Sequence, residues 1–313
     1  MTTVEIDPFG GRFEKFKAAI IRGILRGVFR PLLGPPNTAV FQRRCVGWLS
    51  RFLPARGGVV RERVMAANVP VEVTKVRTDL SRGAILYIHG GGFCVGSPVT
   101  HRSVTSHLAF ESKMSVWTPD YRLAPENPYP AGLDDVQATF QEMLRAGYAA
   151  EQIVLAGDSA GGALALGLAI RLRDQQALRP AGLMLLSPLT DLDRDAAHSR
   201  SATVNDPMIR RAWLEQFLEW YRCPPETPEH SPLKIDLAGL PPLLIQVGDC
   251  EELLSDALQL AEHAAHCQLD CRLEIHRERW HVFQLQSRFL PSSRAALRTL
   301  AGFARSVTQA PGA

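Results

Sequence analysis

Gly157-Asp158-Ser159-Ala160-Gly161 lies between two apolar runs, one ending at Ala156 and one opening at Gly162. A serine with glycines two residues to either side suits a strand that reverses sharply into a helix, where any larger side chain would collide. That corner lifts the hydroxyl above the sheet edge, beside the partly positive N-terminus of the next helix, where an oxyanion is favoured. The chemistry it permits is nucleophilic attack on a carbonyl through a covalent acyl intermediate. A glycine-rich turn after a buried strand has the same five residues, so the pentapeptide acquires meaning only from partners elsewhere in the chain.

A serine hydroxyl becomes nucleophilic when a base takes its proton, which calls for a histidine on a loop at the same sheet edge and a carboxylate behind it. The Gly-x-Ser-x-Gly corner resembles that of the α/β-hydrolases, which implies that the acid and then the histidine follow the serine along the chain. Of nine histidines, His101 and His107 precede Ser159 on an expected helix, His263 and His266 sit on another, and His276 belongs to a strand. His281, in Arg279-Trp280-His281-Val282-Phe283, combines the right order with a loop position. The acid is expected after the strand at 243–247, where Asp249, Glu251, Glu252 and Asp256 are available. Asp256 falls in the next helix, and reach does not separate Asp249 from Glu251. Charge developing on the carbonyl oxygen also needs preorganised N–H donors, and losing one costs about 3 to 4 kcal/mol. His89-Gly90-Gly91-Gly92-Phe93 follows a strand and offers N–H groups with no side chains in the way.

Positioning these residues requires a sheet whose strands all end at one edge. From residue 84 onward, short apolar runs (84–88, 115–118, 153–156, 182–186, 243–247, 272–276) alternate with helical patterns, which predicts βα units and a mainly parallel sheet covered on both faces. Two Val-rich segments, 59–66 and 69–76, alternate as antiparallel strands do and bring the count to eight. Helices are expected at 11–30 and 37–52, after Ser159, around Leu133 to Leu144, around Leu258 to Ala261, and from 292 to 306. The rhythm breaks between 190 and 240. Leu192-Asp193-Arg194-Asp195 leads there to Asn205-Asp206-Pro207 and to a helix carrying Trp213, Phe217, Trp220 and Tyr221. An aromatic insertion of this length reads as a lid over the site that packs on the N-terminal helices.

With 313 residues, 46% of them hydrophobic, the chain is long and apolar enough for one large α/β core with an appendage. A net charge of +3 with no basic stripe interleaved with aromatics excludes a nucleic-acid partner. Six scattered cysteines read as free thiols in a reducing cytoplasm. His263, His266, Cys267 and Cys271 match no usual zinc spacing, so no metal is expected. No apolar run is long enough to span a bilayer, and Arg22 interrupts any signal-peptide core. The helix at 11–30 is nonetheless basic and amphipathic, with Phe13, Phe16, Ile20, Ile24 and Val28 opposite Lys15, Lys17, Arg22 and Arg26. Such a helix fits a membrane surface, but the expectation is that its apolar stripe packs on the protein itself. The strand at 271–276 is expected at the sheet edge, where an unpaired strand invites a homodimer.

The motifs together resemble those of the bacterial hormone-sensitive-lipase-like carboxylesterases (family IV) of the α/β-hydrolase superfamily. The resemblance covers most of the chain. It rests on His89 to Phe93, Asp120-Tyr121-Arg122-Leu123-Ala124-Pro125-Glu126 ahead of Pro130-Ala131, the motif at 157–162, Ser187-Pro188, Asn205-Asp206-Pro207 and the stretch 248–256. It implies an α/β-hydrolase fold with a helical cap, made of residues 1–55 and an insertion at about 190–225, on a catalytic domain at 56–313. It implies an oxyanion hole from the N–H groups of Gly91, Gly92 and Ala160, with His89 and Asp158 in support and His89 bracing the glycine loop without reacting. The family's acid is usually Asp, followed two residues later by Leu. The equivalent here is Glu251, ahead of Leu253, with Asp249 the alternative. The implied activity is cofactor-free hydrolysis of short- to medium-chain acyl esters, with amide or drug-like acyl hydrolysis by the same triad as the alternative. The plant gibberellin receptors resemble these esterases but lack the catalytic histidine, which His281 supplies here.

Overall fold

Unbroken apolar runs such as Ala-Ile-Leu-Tyr-Ile at 84–88 are stable only between two layers, because successive side chains point to opposite faces. The computed structural model, which describes residues 1–8, 10–77, 83–192 and 205–309, puts them there. Ile85 and Tyr87 face one core with Val104, Leu108, Leu297 and Leu300, while Leu86 and Ile88 face the other with Val136, Phe140, Leu164 and Leu260.

The strands are β1 (Thr2–Ile6), β2 (Val59–Ala66), β3 (Val69–Val76), β4 (Ala84–Ile88), β5 (Ser115–Pro119), β6 (Ile153–Asp158), β7 (Gly182–Leu186), β8 (Leu243–Gly248) and β9 (Cys271–His276). They form one sheet in the order β1-β9-β8-β7-β6-β4-β5-β3-β2, antiparallel only where β3 meets β2 and β5. The principal helices are α1 (Gly11–Ile24), α2 (Ala39–Leu49), α3 (Arg102–Ser112), α4 (Ala131–Arg145), α5 (Ala160–Gln176), α6 (Arg211–Tyr221), α7 (Leu254–His266) and α8 (Pro291–Gln309). Helix α1 continues through a wider turn at Leu25–Phe29 and a last turn at Arg30–Leu32. Helix α5 is buried almost all round, as its apolar sequence predicts. No helix of the described residues is long and apolar enough to cross a membrane.

The sheet has nine strands where eight are expected. Thr2–Ile6 pairs in parallel with β9 from Thr2↔Arg272 to Ile6↔His276, and Arg277 N–H donates to the Ile6 carbonyl (2.9 Å). The strand at 271–276 is therefore interior, and the unpaired edge inferred for it does not exist. Residues 2–6 likewise belong to the sheet and not to the helical appendage.

The second departure concerns α1. Its inner side is Glu14, Ala18, Ile21 and Leu25, whereas Phe13, Phe16, Ile20, Ile24 and Val28, expected to pack inward, are all exposed. A buried ion pair fixes this rotation. Glu14 Oε1 accepts from Arg279 Nη2 (2.9 Å) and from the Ser292 N–H (3.0 Å), and Arg279 Nε donates to Ser292 Oγ (2.8 Å).

The appendage is tied to the core at further points. Arg43 of α2 donates to the carbonyls of Cys94 and Ala124 and pairs with Glu126. Gln42 accepts from Trp213 Nε1 (2.7 Å) and donates to Gln216 (2.9 Å), which joins α2 to α6. This is the packing of the 190–240 segment on the N-terminal helices that its aromatics suggested. Asp193, Arg194 and Asp195 lie outside the described residues.

Glu14 and Arg279 are each 1% exposed. Removing one member of a buried pair strands the other and costs about 3–5 kcal/mol, whereas replacing both with apolar residues is often close to neutral. Glu14→Ala is therefore expected to lower the urea midpoint sharply, and Glu14→Leu/Arg279→Met to recover most of the loss. Equal midpoints for the single and double variants would show that the pair does not hold the helix.

Candidate active site

Gly157 and Gly161 are required by close approach. A Cβ on Gly157 would run into the Gly161 carbonyl, and one on Gly161 into the carbonyls of Ile88 and His89. Between them Ser159 adopts φ 54° and ψ −124°, the corner of a type II′ turn. It is held there by its N–H to the Leu186 carbonyl (2.9 Å) and by its own carbonyl accepting from Gly162 (2.9 Å) and Leu189 (3.1 Å). The serine thus stands at the C-terminal edge of the sheet, at the start of α5.

The glycine loop after β4 is locked to this corner by Asp158. One carboxylate oxygen accepts from Tyr87 Oη (2.7 Å) and the Gly90 N–H (3.1 Å), and the other meets His101 Nε2 at 3.2 Å. Burial works against both charges, yet the attraction between them prevails: the His101 pKa is raised and that of Asp158 lowered. Gly91 and Gly92 have φ of 121° and 58°. The Gly91 carbonyl accepts from Cys94 and Val95, and the Phe217 ring occupies the space that a Cβ on Gly92 would need. Among the described residues, no acceptor engages the N–H groups of Gly91 and Gly92. They line the same cleft as Ser159, and Ala160, the residue after Ser159, opens α5.

His89 is fully buried beneath the loop. It stacks on Tyr121 at 4.2 Å, Tyr121 Oη donates to its carbonyl (2.8 Å), and its Nδ1 lies 2.9 Å from the Gly90 carbonyl. Burial first, and then the charge of His101, push its pKa down to about 3. A neutral, immobilised ring of this kind suits a brace.

His281 follows β9 on a short loop and is 4% exposed. Its Nδ1 lies 3.4 Å from Glu251 Oε2, an ion-pair approach longer than a formed hydrogen bond, as is common before substrate binds. Glu251 is itself held from two sides: Oε2 accepts from Ser187 Oγ (2.9 Å) and Oε1 from the Gly248 N–H (3.1 Å). Ser187 Oγ also receives the Val282 N–H (3.1 Å), so one hydroxyl fastens both the acid and the histidine loop. Burial disfavours the imidazolium of His281, but Glu251 and, more weakly, Asp206 outweigh it and raise its pKa. Burial also raises the Glu251 carboxyl. Asp249 is only partly buried and accepts from Cys250 Sγ at 3.2 Å.

Sequence reasoning did not assign roles to His101, Tyr87, Ser187 or Asp206. Asp206 accepts from the N–H groups of Met208 and Ile209 (2.6 and 3.0 Å) and of Glu252 (2.9 Å), which fastens the segment before α6 to the acid loop. The signal was present for Ser187 and Asp206, as part of Ser187-Pro188 and Asn205-Asp206-Pro207, though not their partners. Ser159, His281 and the glycine loop open on a cleft of about 600 Å³ walled largely by apolar side chains, among them Ile21, Leu25, Trp213 and Phe217. That is the size and character of a small-molecule site. Among the described residues, no group of three or more side chains comes together to hold a metal ion.

Residues 85–285 match the family model described as alpha/beta hydrolase fold. An esterase of Acinetobacter venetianus is 35% identical over 262 residues, covering 83% of this chain and 86% of that protein. An acetyl-hydrolase of Streptomyces hygroscopicus is 35% identical over 226 residues, covering 72% and 76%. The crystal structure of an esterase from the bacterial hormone-sensitive lipase family superposes with a TM-score of 0.86 at 32% identity, covering 93% of this chain and 98% of that one.

The Asp158–His101 pair gives a pH-dependent expectation. Asp158→Asn leaves His101 buried without its counter-charge, which costs about 3–5 kcal/mol near neutral pH. His101 has a raised pKa, so the wild-type pair keeps its ionic contribution below the unfolded histidine's pKa and loses it as pH rises through the folded value. Urea unfolding of the two proteins should therefore converge at alkaline pH. A gap that stays constant with pH would mean that His101 is never charged.

Proposed function

Because this chain belongs to the bacterial hormone-sensitive-lipase-like carboxylesterases of the α/β-hydrolase fold, and is a carboxylic ester hydrolase, we propose that Ser159, His281 and Glu251 are its nucleophile, its base and its orienting acid. The observation that carries this reading is the Glu251–His281 approach, fastened by Ser187, in the cleft that also holds Ser159 and the glycine loop. Ser159 Oγ attacks the ester carbonyl carbon while His281 takes its proton, and the oxygen's negative charge is met by the N–H groups of Gly91, Gly92 and Ala160. The tetrahedral adduct collapses, and the alcohol leaves with the proton from His281. Water, activated by the same histidine, then releases the carboxylic acid and regenerates Ser159. Glu251 holds the imidazole and stabilises its cation. No cofactor takes part in these steps.

The helices within residues 1–55 and the segment of about 190–225 form the proposed cap, with α1 and α6 as walls of the acyl and alcohol pockets. Short- to medium-chain acyl esters are the proposed substrates. The size of the cleft supports this, as does the name acetyl-hydrolase borne by one relative.

Hydrolysis of p-nitrophenyl esters across acyl lengths tests the reading. Ser159→Ala is expected to abolish turnover, and Glu251→Gln to lower kcat by about 10⁴. Asp249→Ala should stay near wild type, and the reverse pattern would move the acid to Asp249. Catalysis needs His281 neutral, and its pKa lies above the ordinary 6.5. The acidic limb of kcat/KM should accordingly fall above that value and move to lower pH in Glu251→Gln. Unchanged activity in Ser159→Ala would sink the mechanism.

A further inference from the structure

Helix α1 buries Glu14, Ala18 and Leu25 and leaves its apolar stripe exposed. Phe13 is 69% exposed, Phe16 64% and Ile24 53%, and in the last turn of α2 and just after it Trp48 and Phe52 are 52% and 60% exposed. These residues do not form scattered single exposures. Ile20, Ile24, Val28, Trp48 and Phe52 rim the cleft that holds Ser159, and Phe13 and Phe16 extend the same stripe along α1. A contiguous exposed apolar surface around a binding cleft marks an interaction site.

Charge indicates its occupant. Between residues 10 and 56 the chain has ten basic residues and one acid, Glu14, which is buried, while the whole chain carries only +3. The rest of the molecule is thus net acidic, and the positive charge is concentrated in the segment that bears the exposed apolar stripe. Arg12, Arg44 and Arg51 are exposed and have no ion-pair partner among the described residues. Apolar side chains flanked by unpaired cations fit the acyl–headgroup boundary of an anionic bilayer.

We propose that the face formed by α1 and the end of α2 docks on anionic lipid membranes with the mouth of the cleft turned toward the bilayer. The enzyme then draws its ester substrates from the lipid phase. The docking is independent of the proposed triad; only the delivery of substrate rests on it.

Co-sedimentation with vesicles tests the docking and involves no catalysis. The full chain is expected to pellet with equimolar phosphatidylglycerol–phosphatidylcholine vesicles and not with phosphatidylcholine alone. It should be released at about 1 M salt, where the screening length falls to about 3 Å. Two variants outside the cleft separate the two contributions. Phe13→Ser/Phe16→Ser and Arg12→Gln/Arg44→Gln/Arg51→Gln should each weaken binding about tenfold or more, with hydrolysis of soluble p-nitrophenyl acetate unchanged as evidence of intact folding. Failure to pellet with anionic vesicles, or binding indifferent to both sets of substitutions, would overturn the proposal. So would a dimer in solution that Phe13→Ser/Phe16→Ser converts to monomer, since a second copy would then own the surface. If Ser159→Ala pellets as wild type does but the wild type hydrolyses no ester, docking stands and the catalytic reading falls.

Discussion

The active site depends on two stretches of main chain passing closer than side chains allow. Gly157 and Gly161 bring the first turn of α5 against the end of β4, and the glycine loop leaves β4 at that contact. Asp158, next to Ser159, accepts from Tyr87 of β4 and from the Gly90 N–H of the loop, and faces His101. The serine corner and the glycine loop therefore cannot move independently. The proposed nucleophile and the proposed donors for the charge it would create are built on one junction, which is what electrostatic preorganisation demands. The cost is a buried cluster of ionisable groups, tolerable because each charge is partnered.

The histidine side is held differently. His281 comes from a loop more than a hundred residues downstream of Ser159 in the sequence, and side-chain hydrogen bonds fix its position in addition to the close pass of that loop over Gly248. Ser187 ties Glu251 to the Val282 N–H, and Asp206 ties the acid loop to the segment before α6. Behind this loop, Arg279 reaches Glu14 of α1. The proposed base is thus linked through its own loop to the appendage that walls the cleft, while Ser159 is linked to the sheet.

Those parts of the fold governed by local pattern were legible in the sequence. Buried parallel strands read as apolar runs, α5 as a helix without a polar face, and the elbow and glycine loop as glycines where close approach needs them. Chain order and loop position singled out Ser159 and His281, which line one cleft, and Glu251 lies 3.4 Å from His281. What was not legible depended on distant partners. Thr2–Ile6 is five residues with no turn signal before it, and its pairing with β9 is set by the far end of the chain. The rotation of α1 was misread because an apolar stripe is the usual inner face, and a single buried carboxylate, Glu14, overrode it. Gln246 and Glu274, fully buried in neighbouring strands and hydrogen-bonded at 2.8 Å, are polar residues that no periodicity anticipates.

The parallel pairing of β1 with β9 also bears on how the molecule is assembled. Within the sheet, the first strand in chain order has the last one as its neighbour, so β1 gains its partner only after nearly all of the domain between them is made. Contacts this remote in sequence carry the largest loop-closure cost and form late. Closure of that end of the sheet then depends on β9 being present, and a chain cut short before residue 271 would display Thr2–Ile6 as an unpaired strand.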